Sequence, residues 1–166
     1  VAVRLTLQAS RHSFFVATGG FDSHNDQAQD QPGLLANVSA CLDAFYRATV
    51  EMGIAQNVTA FTQSDFGRTL TSNGDGTDHA WGGVQLVVGG AVHGKSVYGS
   101  YPVLRLGATL AADGADDVGG GRFIPTTSSD QYAATLARWF GVLDADLARI
   151  APGIDNFTQR DLGFMS

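Results

Sequence analysis

Disulfide chemistry within the chain is excluded at the outset, because the 166 residues hold a single cysteine, Cys41. It falls among apolar positions of an expected helix, where a small buried thiol is the ordinary role. Its isolation is compatible with the cytoplasm and does not exclude secretion. Basic residues are also few: Lys plus Arg is 10 against Asp plus Glu at 16, for a net charge of −6. Broad electrostatic attraction to nucleic acid or to an anionic membrane is thereby excluded, leaving room only for a local basic pocket. No apolar run reaches membrane-spanning length, and no signal peptide is present. The first residue is Val1 rather than Met, so a leader or an upstream segment is expected to be missing. No internal repeat, low-complexity tract or nucleotide-phosphate motif occurs.

The chain does have enough apolar residues, 44% against 16% charged, to bury one sizeable core. The expectation is one α/β domain over residues 1–166, or the C-terminal portion of a larger one, with a core over about 11–150 and a C-terminal strap over 151–166. Val1, Val3, Leu5 and Leu7 alternate with more polar residues and favour a half-buried strand. Phe14, Phe15 and Val16 form a β-prone run that stops at Gly19 and Gly20. From Pro32 to Met52, apolar positions recur at steps of three and four, which predicts a helix with Pro32 at its first position and Gly53 as its stop. A strand over Val58–Thr62 follows. Strand, crossover helix and strand make a βαβ unit, hence a mostly parallel sheet flanked by helices, with ligands at the carboxyl ends of its strands.

Ser64 to Gly83 reads as an ordered functional loop, being too long and too glycine-rich for a connector. Val84–Val88 reads as a third strand, and turns follow through Tyr101 and Pro102. Ala111 to Gly121, with Asp113, Asp116 and Asp117, is an exposed loop whose spacing fits no standard EF-hand, although calcium is an alternative there. Ser128 and Gln131 have capping-box spacing ahead of a helix to Gly141 with Trp139 in the core, and Asp144–Ile150 gives a short last helix.

Three stretches carry chemistry. Gly19 to His24 reads Gly-Gly-Phe-Asp-Ser-His, Ser64 to Thr69 reads Ser-Asp-Phe-Gly-Arg-Thr, and Gly76 to Gly82 reads Gly-Thr-Asp-His-Ala-Trp-Gly. Asp22 and His24, two residues apart, can converge on one ion, and an Asp oxygen with imidazole nitrogens suits Zn²⁺ or Mn²⁺. The same pair reads equally as a turn cap and a surface histidine. Asp65 could ligate a metal or bond its own loop, and Arg68 could pair with Asp65 or hold an anionic oxygen. His79 is the third candidate ligand, or a hydrogen-bonded loop histidine; His12 and His93 have no such company.

These three motifs, with Val87-Val88-Gly89-Gly90-Ala91-Val92 and Tyr98-Gly99-Ser100-Tyr101-Pro102 after them, resemble the bacterial domain-of-unknown-function 1501 family over roughly residues 11 to 165. That family looks like a distant branch of the alkaline phosphatase and sulfatase superfamily, which hydrolyses or transfers phosphate or sulfate esters at a metal site on an α/β sheet. The resemblance implies that Asp22, His24 and His79 belong to one metal site and Asp65 to a second. Phe66 stands where the superfamily commonly has a histidine, which implies a weakened or absent second metal. The superfamily's nucleophile lies on an earlier strand, and nothing ahead of Asp22 matches it. The implied protein is a periplasmic or extracellular hydrolase of anionic small-molecule or polymer esters, using Zn or Mn, with Arg68 as an anion clamp. Its implied partners are its own N-terminal portion or another envelope protein. The alternative is a catalytically degenerate binding or envelope-assembly module that keeps the fold.

Overall fold

The longest helix, α1 (Gln27–Glu51), turns one stripe toward the rest of the chain. Leu34, Val38, Leu42, Phe45 and Thr49 lie on that stripe, spaced as a helix face requires, and the residues between them are largely exposed. The computed structural model describes residues 11–107 and 116–166, so the expected strand at Val1–Leu7 and Asp113 of the acidic loop lie outside the described residues.

Helix α1 begins upstream of the expected start, and Pro32 sits inside it. The added turn is held by tertiary contacts: Thr77 Oγ1 donates to Gln27 Oε1 at 2.8 Å, and the Gln27 amide donates to the Asp75 carbonyl at 3.3 Å. The helix ends as Gly53 predicts. Gly53 takes φ 70°, its amide donates to Val50 O at 3.0 Å, and the Ile54 amide donates to Thr49 O at 2.9 Å. This paired closure needs a left-handed residue that glycine adopts without strain. Cys41 is exposed, not buried as expected, because it lies off the inward stripe.

The parallel sheet is not there. The described residues form two small antiparallel sheets, β1 (Thr59–Phe61) with β4 (Val87–Gly89), and β2 (Gly67–Ser72) with β3 (Thr77–Ala80). The alkaline-phosphatase-like α/β expectation is therefore overturned. Its first strand fails because Phe14–Val16 finds no sheet partner: residues 11–23 carry no regular structure, with Phe15 94% and Val16 85% exposed. A β-prone run becomes a strand only when another backbone completes its hydrogen bonds. With no strand before it among the described residues, α1 joins no pair of parallel strands there. The chain after β1 instead doubles back through the β2–β3 hairpin and returns as β4 running the opposite way.

That hairpin occupies most of the segment expected to be one ordered loop. Its tip is Asn73–Gly76, where Asn73 Oδ1 accepts the amides of Asp75 at 3.2 Å and Gly76 at 2.9 Å. Asn-Gly flanked by β-prone residues is a turn signal with a mechanism, since both tolerate the tight backbone.

Helix α1 packs on β4. Helix α2 (Ser129–Trp139) places Tyr132 edge-on to Phe61 of β1, ring centroids 6.0 Å apart. The Tyr132 hydroxyl donates to Thr62 O at 3.2 Å. The capping box that starts α2 is complete, with Ser128 Oγ accepting from the Asp130 amide and Gln131 Oε1 from the Ser128 amide. Ala134 and Ala137 of α2 pack with Leu147, Ala151 and Ile154 as the buried cluster. Trp139 is only half-buried, and the segment expected as a short last helix is a 3₁₀ stretch, Asp144–Arg149. The tail returns along residues 91–93: the His93 amide donates to Phe164 O and the Ser166 amide to Ala91 O, both at 2.9 Å, and Phe164 is buried. Asp116 and Asp117 hold their own loop, accepting the amides of Val103 at 2.7 Å and Gly119 at 2.8 Å. Among the described residues, no helix is long and apolar enough to cross a membrane.

Candidate metal centre

Asp22 and His24 lie in the irregular segment that leads into α1, and His79 lies on β3. The hairpin is bonded to that segment at several points. The Thr77 amide donates to Ser23 O at 3.4 Å, and Asn73 Nδ2 donates to His24 O at 3.0 Å. Gly76 makes the approach possible, because a Cβ there would collide with the backbone of Ser23 and His24.

Arg68, on β2 opposite His79, completes the attachment. Its side chain is 16% exposed. Nε donates to Thr77 Oγ1 at 2.9 Å, one terminal nitrogen to Ser23 O at 2.8 Å and also to Thr77 O, and the other to Asp22 Oδ1 at 3.2 Å. Four of the five guanidinium N–H groups are thus spent inside the protein. Of the two alternatives for Arg68, the ion pair it forms is with Asp22 rather than Asp65, and one of its N–H groups is not used in these hydrogen bonds.

The result is a convergence on one carboxylate oxygen. His79 Nε2 lies 2.6 Å and His24 Nε2 3.0 Å from Asp22 Oδ1. One ligand atom from each of the three residues lies within 4.8 Å of the others. The His24 and His79 rings stack at 5.0 Å, and His79 in turn stacks on Phe66 at 3.9 Å, with the planes 6° apart. The Asp22 carboxyl is held below the usual carboxylate range, chiefly by its hydrogen bond with His79, with the Arg68 bond and the charges of both histidines acting the same way. It is therefore anionic near neutrality, as a metal ligand must be.

The donor set fits a divalent transition metal. Two imidazoles and one carboxylate are a common three-ligand set for Zn²⁺ and related ions, and metal–ligand bonds of about 2.0–2.2 Å put neighbouring donors roughly 3.3 Å apart in a tetrahedron. The observed 2.6 and 3.0 Å require only a small opening to reach that spacing. All three side chains are solvent-accessible, which suits a centre with a free position for water or substrate.

Asp65 is exposed in the loop after β1 and is not among the converging ligand atoms. Phe66 beside it serves as the stacking surface for His79. His93 lies at the C-terminal tail, Nδ1 3.2 Å from Gly163 O. The sequence reading missed Asn73 and Asp78. Asn73 belongs to the Asn-Gly turn signal, and Asp78 was visible only as the neighbour of His79.

Comparison with curated proteins finds no match, and comparison with solved structures finds none. The family model described as "Protein of unknown function (DUF1501)" matches residues 1–150, most of the chain and all of the three motif loops. The chain belongs to that family.

Proposed function

We propose that this chain carries the metal centre of a metal-dependent hydrolase acting on phosphate or sulfate esters. The observation that carries this reading is the convergence of one ligand atom each from Asp22, His24 and His79 within 4.8 Å on an accessible surface. A bound Zn²⁺ or Mn²⁺ would polarise an ester oxygen and stabilise the charge that develops on it. The chain's own residues supply the setting. Asp22 holds its negative charge, each histidine would offer a nitrogen lone pair once the ion displaces the proton facing Asp22, and Arg68 ties the Asp22–His24 segment to the hairpin while keeping one N–H for a substrate oxygen. The nucleophile comes, in this reading, from a partner chain or a further segment of the same protein, and a periplasmic or extracellular place goes with it.

The test is titration of inorganic phosphate and sulfate into the zinc-loaded and zinc-free protein, together with p-nitrophenyl phosphate and sulfate turnover. Metal-dependent anion binding that disappears in Asp22→Ala supports the reading. Zinc binding with neither anion binding nor turnover, in the chain and in its longest expressible form, refutes it. A second reading, a binding or envelope-assembly module that keeps the metal, is favoured by the exposure of large apolar side chains such as Phe15, Trp81, Val97 and Leu143. That outcome would support it.

A further inference from the structure

His24 is engaged at both ring nitrogens. Nε2 lies 3.0 Å from Asp22 Oδ1, and Nδ1 lies 3.3 Å from Asp78 Oδ1. A neutral imidazole has one N–H and one lone pair, so the nitrogen that donates decides which nitrogen can bind a metal. His79 is oriented differently, by its stack on Phe66.

Asp78 is itself held in place. Asn73 Nδ2 donates to Asp78 Oδ1 at 3.3 Å while also donating to the His24 carbonyl at 3.0 Å. The Asn73 amide cannot turn freely, because its oxygen accepts the Asp75 and Gly76 amides at the hairpin tip. The Asp78 amide donates to Thr69 Oγ1 at 3.1 Å, which fixes the backbone beneath the carboxylate. Asp78 is not one of the three residues whose ligand atoms converge.

We propose that Asp78 is a positioning residue for the metal centre. It accepts the Nδ1–H of His24, so that Nε2 is the nitrogen whose lone pair goes to an ion shared with Asp22 and His79, with Asn73 as its support. This rests on reading the triad as a metal centre, and it adds a residue that acts through His24 rather than on the ion. A carboxylate behind a ligating imidazole fixes the tautomer, and removing it typically weakens metal binding by about 10–100-fold.

The test is zinc affinity by competition with a chromogenic chelator for wild type, Asp78→Asn, Asp78→Ala and the His24→Ala, His79→Ala double variant. It is paired with ¹⁵N-histidine spectra of the zinc-loaded proteins and thermal midpoints of the zinc-free ones. The expected result is one zinc per wild-type chain and affinity about 10–100-fold lower in Asp78→Ala. Asp78→Asn should fall between, because its amide oxygen still accepts. The zinc-loaded wild type should show a slowly exchanging His24 Nδ1–H that is lost in Asp78→Ala, with the zinc-free midpoint unchanged. Wild-type affinity in a folded Asp78→Ala, or zinc bound through Nδ1 of His24, overturns the role of Asp78 while the metal centre stands. Absence of zinc binding in the wild type overturns both.

Discussion

Replacing Arg68 by Met keeps most of the side chain's length and removes its guanidinium. Four hydrogen bonds go with it, to Ser23 O, Thr77 O, Thr77 Oγ1 and Asp22 Oδ1. They do not contribute equally. Asp22 is 61% exposed, so that ion pair contributes about 1 kcal/mol or less. The carbonyls of Ser23 and Thr77 face a side chain only 16% exposed, and a carbonyl stripped of a charged donor loses about 1–3 kcal/mol, less where water can reach it. The sum for this rim of the protein is about 2–4 kcal/mol, a fall of about 4–16 °C in thermal midpoint for a chain of this size. The assay is thermal unfolding by circular dichroism in the presence of a chelator, so that metal does not contribute. Arg68→Lys should recover only part of the loss, because an ammonium cannot span the same fork of acceptors. An Arg68→Met midpoint within a degree of wild type would refute the assignment of Arg68 as the tie between hairpin and ligand segment.

Gly76→Ala should push the Ser23–His24 backbone off the hairpin, so zinc affinity should drop at least tenfold in a direct titration while α2 remains folded by circular dichroism. Leu147→Ala opens a cavity at a side chain 1% exposed and should lower stability by about 2–5 kcal/mol in urea unfolding, with zinc affinity unaltered. Burial pushes the Tyr132 phenol well above its ordinary 10.0. The folded state therefore favours the neutral phenol: its contribution is intact below pH 10 and lost as pH rises above that value and the unfolded chain ionises. Stability of the wild type measured by denaturant should fall above pH 10, and Tyr132→Phe should flatten that fall.

The parts of this chain that could be read in one dimension are those set by neighbours in sequence. The capping box at Ser128 and Gln131 and the Gly53 stop are local hydrogen-bond arrangements, and both form as spaced. The sheet is different, because whether Val58–Thr62 pairs with Phe14–Val16 or with Val87–Gly89 depends on partners far along the chain. A run of three apolar residues does not specify which. The hairpin is hard to read despite Asn73-Gly74, because a glycine-rich stretch with little apolar periodicity reads equally as a loop. Asp22, His24 and His79 stood out as residue types in motif loops, and the structure brings them together. Asp65 stood out equally and is not among the converging ligand atoms, while Arg68, which could have paired with Asp65 or held an anion, reaches across to Asp22. Pairings that cross between segments, such as Arg68 with Ser23 and Asp78 with His24, leave no mark in local spacing.

The metal centre requires that three side chains from two segments hold one ion. Metal content by inductively coupled plasma mass spectrometry, on wild type and on the His24→Ala, His79→Ala double variant after equal exposure to Zn²⁺ or Mn²⁺, measures this directly. One metal per wild-type chain and none in the folded double variant is the predicted result. No stoichiometric metal in the wild type, or the same amount retained by the double variant, would contradict the account.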